Sequence, residues 1–251
     1  MAVTHTPGTL FLVSTPIGNL ADLTPRAVTT LQSVSLILAE DTRHSRTLLD
    51  HAGIRTPMTS YHEHNEARSS DRLLERLRAG EDLALISDAG TPLISDPGAR
   101  LVRSAIDAGI RVVAVPGASA LLAGLVASGL PAERFTFLGF LPRRGSDRAA
   151  ALRDVQRSPH TVVVYEAPGR VAATLADLCE AGAGARPVVV ARELTKQFEE
   201  VRRGTVEEMA RYYEEAPPRG EVVLVIGGAP DQPIDEPTLR DQAVALGREG
   251  L

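Results

Sequence analysis

Short runs of aliphatic and β-branched residues recur along the chain, each closed by a loop of Gly, Pro, Ser, Thr or Asp and followed by helically spaced apolar positions. In the first half this pattern predicts strands over 8–14, 33–38, from 83 onward and over 111–115. Helices are predicted over 24–31, where Thr24 caps and Pro25 sits in the first turn, and over 46–52, 68–79 and 98–108. The second half predicts a buried helix over 119–128, strands over 135–140, 161–165, 187–191 and 221–226, and helices over 147–157, 172–180 and 206–214. The stretch 193–205 reads as a β-hairpin. Regular alternation of this kind predicts an α/β protein with a mainly parallel sheet covered by helices. The natural cut near Pro116 gives two α/β domains, 1–117 and 118–228, with 229–251 as a linker and short tail.

Three of the strands run into loops of one design: LFLVSTPIGN from Leu10, LALISDAGTPLISDPG from Leu83 and RVVAVPGASA from Arg111. In open α/β sheets ligands bind beyond the carboxyl ends of strands, where backbone N–H groups and short side chains face a crevice. Three such loops imply one shared site. A plain connection would need a turn residue or two, whereas the long loop carries Asp88, Asp96, Gly90 and Gly98. Asp88 can accept hydrogen bonds from a ribose or an ammonium, and Gly90 lets the backbone approach a ligand. Ser119 is placed to cap a helix whose free N–H groups also suit a carboxylate. No G-x-G-x-x-G, P-loop or G-x-S-x-G pattern is present, which removes the main support for ordinary dinucleotide binding, P-loop chemistry and a serine hydrolase.

Composition narrows this further. With 43% hydrophobic residues and no run of membrane-spanning length, the chain is expected to be a soluble, cytoplasmic protein without a signal peptide. Cys179 is the sole cysteine, so an intrachain disulfide and a thiolate cluster are excluded. A net charge of −5 argues against a broad nonspecific nucleic-acid surface, so a polyanion must be held by local basic patches. Arg143 and Arg144, with Arg153 and Arg157 on the following helix, are the best such patch, although a solvated face is the ordinary meaning of such a run. Among 27 basic residues only Lys196 is a lysine, which singles it out against a background of arginine that coding bias would explain.

Two further segments carry chemistry. AEDTRH sets Glu40, Asp41, Arg43 and His44 after a strand, and a solvated charged turn is the plain alternative. SYHEHNE carries His62, His64 and Asn65, a set that suits a nucleoside better than a metal because no third ligand is well placed.

Taken in order, VSTPIGN, AEDTRH, SYHEHNE, ISDAGTPLISDPG, VPGASA, YEAPGR and RELTKQFEE resemble the small-subunit ribosomal RNA 2′-O-ribose methyltransferases of the tetrapyrrole methylase superfamily. The resemblance runs from Thr9 to about Gly228. It implies two class III methyltransferase-type α/β domains with S-adenosylmethionine in the cleft between them. It also implies a homodimer and methylation of one cytidine ribose in the decoding region of the assembled small subunit. Carried over by motif position, the cofactor would meet Ile17, Asp88, Ala89, Gly90, Leu93, Ser119, Ala120, Glu166, Ala167 and Leu194. Glu40 falls where porphyrin methylases carry an acidic residue proposed as a base. His64, Asn65, Arg143 and Arg144 are the expected RNA contacts, and no metal is expected. YEAPGR departs from the commoner YESPHR, with Gly169 in place of histidine, and the chain is expected to lack a small C-terminal helical region. In the expected reaction Glu40 or His62 takes the hydroxyl proton while Lys196 or Arg43 stabilises the oxyanion. The rival readings are a porphyrin-precursor methyltransferase and a non-catalytic nucleotide-binding module of ribosome assembly.

Overall fold

The computed structural model describes residues 6–230. The expected tail therefore lies, from residue 231 on, outside the described residues.

Two five-stranded sheets follow one another along the chain. The first is built from β1 (Thr9–Val13), β2 (Leu36–Ala39), β3 (Met58–Ser60), β4 (Leu83–Ile86) and β5 (Arg111–Val115), in the order β3-β2-β4-β1-β5. Every pairing in it is parallel. Its crossover helices are α1 (Pro25–Ser33), α2 (Thr42–His51), α3 (Glu63–Arg78) and α4 (Ala99–Asp107). β2 and β4 are buried at every position, so they read as unbroken apolar runs, the signature of a parallel strand covered on both faces. One face packs Leu10, Leu38, Leu83 and Leu85 against α3 and α4, and the other packs Val13, Ile37, Ala84 and Ile86 against α1 and α2.

α5 (Ala120–Ser128) leads to the second sheet: β6 (Phe135–Phe140), β7 (Thr161–Glu166), β8 (Pro187–Arg192), β9 (Glu200–Thr205) and β10 (Val222–Ile226). Its helices are α6 (Gly145–Arg157), α7 (Val171–Leu178) and α8 (Val206–Glu215). The strand order is β6-β7-β10-β8-β9. Here the expectation of a mainly parallel sheet fails, because only β6 and β7 pair in parallel while β10 is antiparallel to both β7 and β8. The cause is the hairpin. Its arms are β8 and β9, joined by residues 193–199, so it lies earlier than the sequence pattern placed it. The hairpin reverses the chain, and the strand that follows α8 then runs backwards into the gap between β7 and β8. Ile17, from the loop after β1, joins Leu125, Val163, Val189, Leu194 and Val223 in a cluster that ties the first half to the second sheet.

Arg186 is 5% exposed and donates to the carbonyls of Val155 (2.5 Å), Gln156 (3.3 Å) and Gly227. It thereby pins the end of α6 to the end of β10. Among the described residues no helix is long and apolar enough to cross a membrane.

Candidate active site

In the first sheet the parallel arrangement sends the loops after β1, β2, β4 and β5 to the same edge. These loops are joined by direct bonds. Thr15 and Gly90 exchange backbone hydrogen bonds at 2.8 and 3.1 Å, Thr15 Oγ1 donates to the Ser87 carbonyl at 3.1 Å, and Thr91 Oγ1 donates to the Ala118 carbonyl at 3.1 Å. The long loop is contorted: Leu93 (φ 73°) and Ser95 (φ 70°) occupy the left-handed region, an arrangement that costs energy and gathers at functional sites.

The second sheet contributes through its reversed strand. Because β10 is antiparallel, its first residues stand beside the last residues of β7 and β8, with Val222 opposite both Glu166 and Arg192. Three strand ends thus meet the loops of the first sheet.

Between them lies a cavity of about 300 Å³. Its wall includes Ile17, Asp88, Ala89, Gly90, Ser119, Ala120, Glu166, Ala167 and Leu194, nine of the ten positions expected to meet the cofactor. The tenth, Leu93, is not part of the wall. Its side chain turns into the first sheet's core, against Leu85 and the backbone of Gly98. Phe140, Tyr165 and Gly220 to Val223 also line the cavity, and no sequence motif marks them as site residues. Nothing in a linear pattern marks the beginning of a strand as a binding edge, and only the antiparallel insertion of β10 makes it one.

Four carboxylates line this wall: Asp88, Asp96, Glu166 and Glu221. Glu166, 1% exposed, accepts from Thr174 Oγ1 at 2.6 Å and from the Ala167 N–H at 2.9 Å, with Arg170 Nε 3.3 Å away. Glu221 pairs with Lys196 at 3.2 Å. Asp88 accepts from the Asp41 N–H at 3.0 Å. Asp96 is pushed up to about 6, chiefly by burial and then by the negative charge of Glu40, with Ser87 offsetting and Asp88 adding to the rise. Glu40 is raised by burial and by Asp88, while His62 draws it down. The structure therefore gathers Glu40, His62, Asp88 and Asp96 on one side of the cavity.

The other expected residues do not line the cavity. Glu40 lies just beyond β2, half-buried behind the wall. His62 caps α3, and its Nδ1 is buried without a hydrogen-bond partner. Asn65 is occupied with the helix start, accepting from the His62 N–H at 3.0 Å and donating to the Ser60 carbonyl at 3.1 Å. His64 is exposed in the same turn, its ring 6.0 Å from that of His62. Arg43 is exposed in the first turn of α2, where its N–H bonds Asp41 Oδ1 at 2.8 Å. Lys196 is held by Glu193 at 2.9 Å as well as by Glu221, and its stem lies on Gly18. An ammonium shared by two carboxylates is not a free cation for an oxyanion, so the structure argues against that expected role. Arg143 and Arg144 are exposed at the start of α6. Among the described residues no group of three His, Cys, Asp or Glu side chains is arranged to hold a metal ion.

The start of α5 completes the wall. Ser119 Oγ accepts from the Leu122 N–H, and the Tyr165 hydroxyl accepts from the Leu121 N–H at 3.1 Å. The Ala120 N–H remains available to a ligand carboxylate.

Residues 9–210 match the family Tetrapyrrole (Corrin/Porphyrin) Methylases. The chain is 49% identical over 247 residues, 97% of its length and 88% of the relative's, to the ribosomal RNA small subunit methyltransferase I of a Synechocystis species. It is 52% identical over 223 residues, 88% of its length and 79% of the relative's, to the enzyme of the same name from Pseudomonas aeruginosa. Among solved structures it is similar to uroporphyrin-III C-methyl transferase from Thermus thermophilus complexed with S-adenyl homocysteine. That match has a TM-score of 0.62 and 23% identity, covering 88% of this chain and 97% of that one.

Proposed function

The chain belongs to the tetrapyrrole methylase family, and we propose that within it this protein is an S-adenosylmethionine-dependent methyltransferase of small-subunit ribosomal RNA, acting on a cytidine ribose 2′-hydroxyl. The substrate reading rests on the relatives of about 50% identity, which bear the name of a small-subunit ribosomal RNA methyltransferase. The observation that carries the cofactor reading is the acid-walled cavity. S-adenosylmethionine, when bound, supplies a methyl group activated by a sulfonium.

Asp88, Asp96 and Glu221 give the wall the negative charge that a cofactor with a sulfonium and an ammonium requires. The first turn of α5 offers an N–H to its carboxylate, and Ile17, Leu194 and Val223 form an apolar wall that excludes water. Leu93 supports the site from the core without touching it. The hydroxyl proton goes to Glu40 or to His62, which are electrostatic neighbours just behind the wall. Arg43, exposed near the same edge, is the cation left to steady the oxygen. Lys196 instead positions Glu221.

A porphyrin-precursor substrate fits poorly. Such molecules carry many carboxylates, and Glu40, Asp88 and Asp96 would repel them. The further partners follow from the same reading: an assembled small subunit as substrate, a homodimer as the working form, and the cytoplasm as the place. For the homodimer, α5 is apolar on every side and leaves Leu122 and Val126 51% and 74% exposed, a surface that a second copy would cover. The two domains are bounded as 1–117 and 118–228.

The test is to incubate the protein with labelled S-adenosylmethionine and unmodified small subunits, then map the label by nuclease digestion and mass spectrometry. Label on one cytidine ribose is expected. Tight cofactor binding without any transfer would favour the non-catalytic assembly module.

A further inference from the structure

At the mouth of the cavity an aromatic ring is displayed where an apolar side chain gains nothing by standing alone. Phe140 belongs to the cavity wall yet is 56% exposed. The pairing of β6 with β7 loses its register between Phe137 and Phe140, and such an irregularity re-aims a side chain. Gly139 adopts φ 63° at the break, a left-handed conformation that glycine takes without strain. Tyr165 backs the ring edge-on, with centroids 5.6 Å apart, and is itself wedged by Phe137 at 4.9 Å.

The segment after the ring is fixed just as firmly. Leu141 is buried, and its carbonyl accepts from Arg170 at 2.8 Å. The Pro142 carbonyl accepts from Arg148 at 3.0 Å. The next two residues, Arg143 and Arg144, are exposed and make no ion pair among the described residues.

We propose that Phe140 is the platform on which the base of the target nucleotide stacks, with Arg143 and Arg144 holding the phosphates beside it. The assignment rests on the RNA-methyltransferase reading and adds a nucleotide subsite to it. A flat, supported ring beside free guanidinium groups matches the two parts of a nucleotide, since bases stack on aromatic faces and arginines neutralise phosphates. A ribose hydroxyl can enter the cavity only if its base leaves the RNA stack, and a base displaced in this way needs a new surface. Phe140 provides one at the entrance. Stacking is indifferent to base identity, so the platform contributes affinity and alignment rather than choice of cytidine.

The experiment measures kcat/KM on unmodified small subunits, cofactor affinity by calorimetry, and sedimentation, for Phe140→Ala, Phe140→Trp and the double variant Arg143→Ala/Arg144→Ala. Phe140→Ala is expected to lower kcat/KM by roughly 10- to 100-fold, and Phe140→Trp to restore most of it. The double arginine variant is expected to weaken subunit binding and to reduce the salt dependence of log K by about two. The inference is overturned if Phe140→Ala keeps wild-type kcat/KM, if its loss is matched by a loss of cofactor affinity, if tryptophan does not rescue, or if Phe140→Ala changes the oligomeric state. That last result would make the ring an interface between copies. Failure of the wild-type protein to methylate at all would instead remove the underlying reading.

Discussion

Replacing Asp96 by Asn should make the ligand-free protein more stable at neutral pH and its cofactor binding weaker. Burial and the neighbouring carboxylates lift the Asp96 carboxyl from 3.8 to about 6. Above both values its ionised form therefore strains the fold, by about 3 kcal/mol if the whole difference counts. Asp96 is only half-buried, and solvent screening reduces this to about 1–2 kcal/mol, or a rise in Tm of about 2–8 °C for Asp96→Asn at pH 8. A folded-state value raised above the unfolded one means that the penalty is full above about pH 6. As pH falls from about 6 towards 4 the folded protein takes up the proton first, so the advantage of the variant should shrink away over that window. Thermal unfolding of both proteins at several pH values between 4 and 8 measures this directly. Calorimetry should find S-adenosylmethionine binding weakened about tenfold or more, because a charge that opposes the sulfonium and ammonium has gone. The reasoning is refuted if the variant is less stable at pH 8, or if the stability difference does not change with pH.

Glu40→Gln or His62→Ala, whichever removes the proton acceptor, should lower single-turnover rates by about 100-fold with cofactor affinity nearly retained. Wild-type rates in both would remove the proton-transfer assignment. Gly98→Ala should destabilise by about 2–4 kcal/mol in denaturant titrations, because φ is 124° there and a Cβ would meet Leu85 Cδ2 at 2.5 Å. Arg186→Met should cost about 3 kcal/mol or more, since the Gly227 carbonyl would lose its guanidinium donors and the Val155 carbonyl would keep only the Ser158 N–H; an unchanged unfolding midpoint would contradict that account.

Much of the first sheet was legible because its strands and helices obey separate periods and its loops carry their own markers. Thr24, Pro25, Gly98 and Ser119 stand where caps and helix starts require them. The helix starts in the two charged motifs were less visible: α2 begins at Thr42 and α3 at Glu63, earlier than apolar spacing suggested, because polar first turns carry no hydrophobic signal. β3 is three residues long and partly exposed, too short to register. The resemblance supplied Glu166 and Leu194, which local chemistry alone would not have chosen, since one ends a buried strand and the other begins a hairpin loop. It also supplied Leu93, whose left-handed backbone turns the side chain into the core, a reversal that sequence spacing cannot express. The fates of Lys196 and Asn65 depended on partners distant in sequence or on helix geometry, and only the folded chain revealed them.

The placement of β10 also sets an order of events during synthesis. β10 is the last described strand, yet it occupies the middle of its sheet, between β7 and β8, and its first residues form part of the cavity wall. A growing chain that has finished β9 still has a slot at the centre of the sheet and one wall missing from the cleft. Cofactor capture is thus postponed until residues 222–226 have emerged from the ribosome and slid into place. Only a chain with β10 in place can gain the full stability that ligand binding confers.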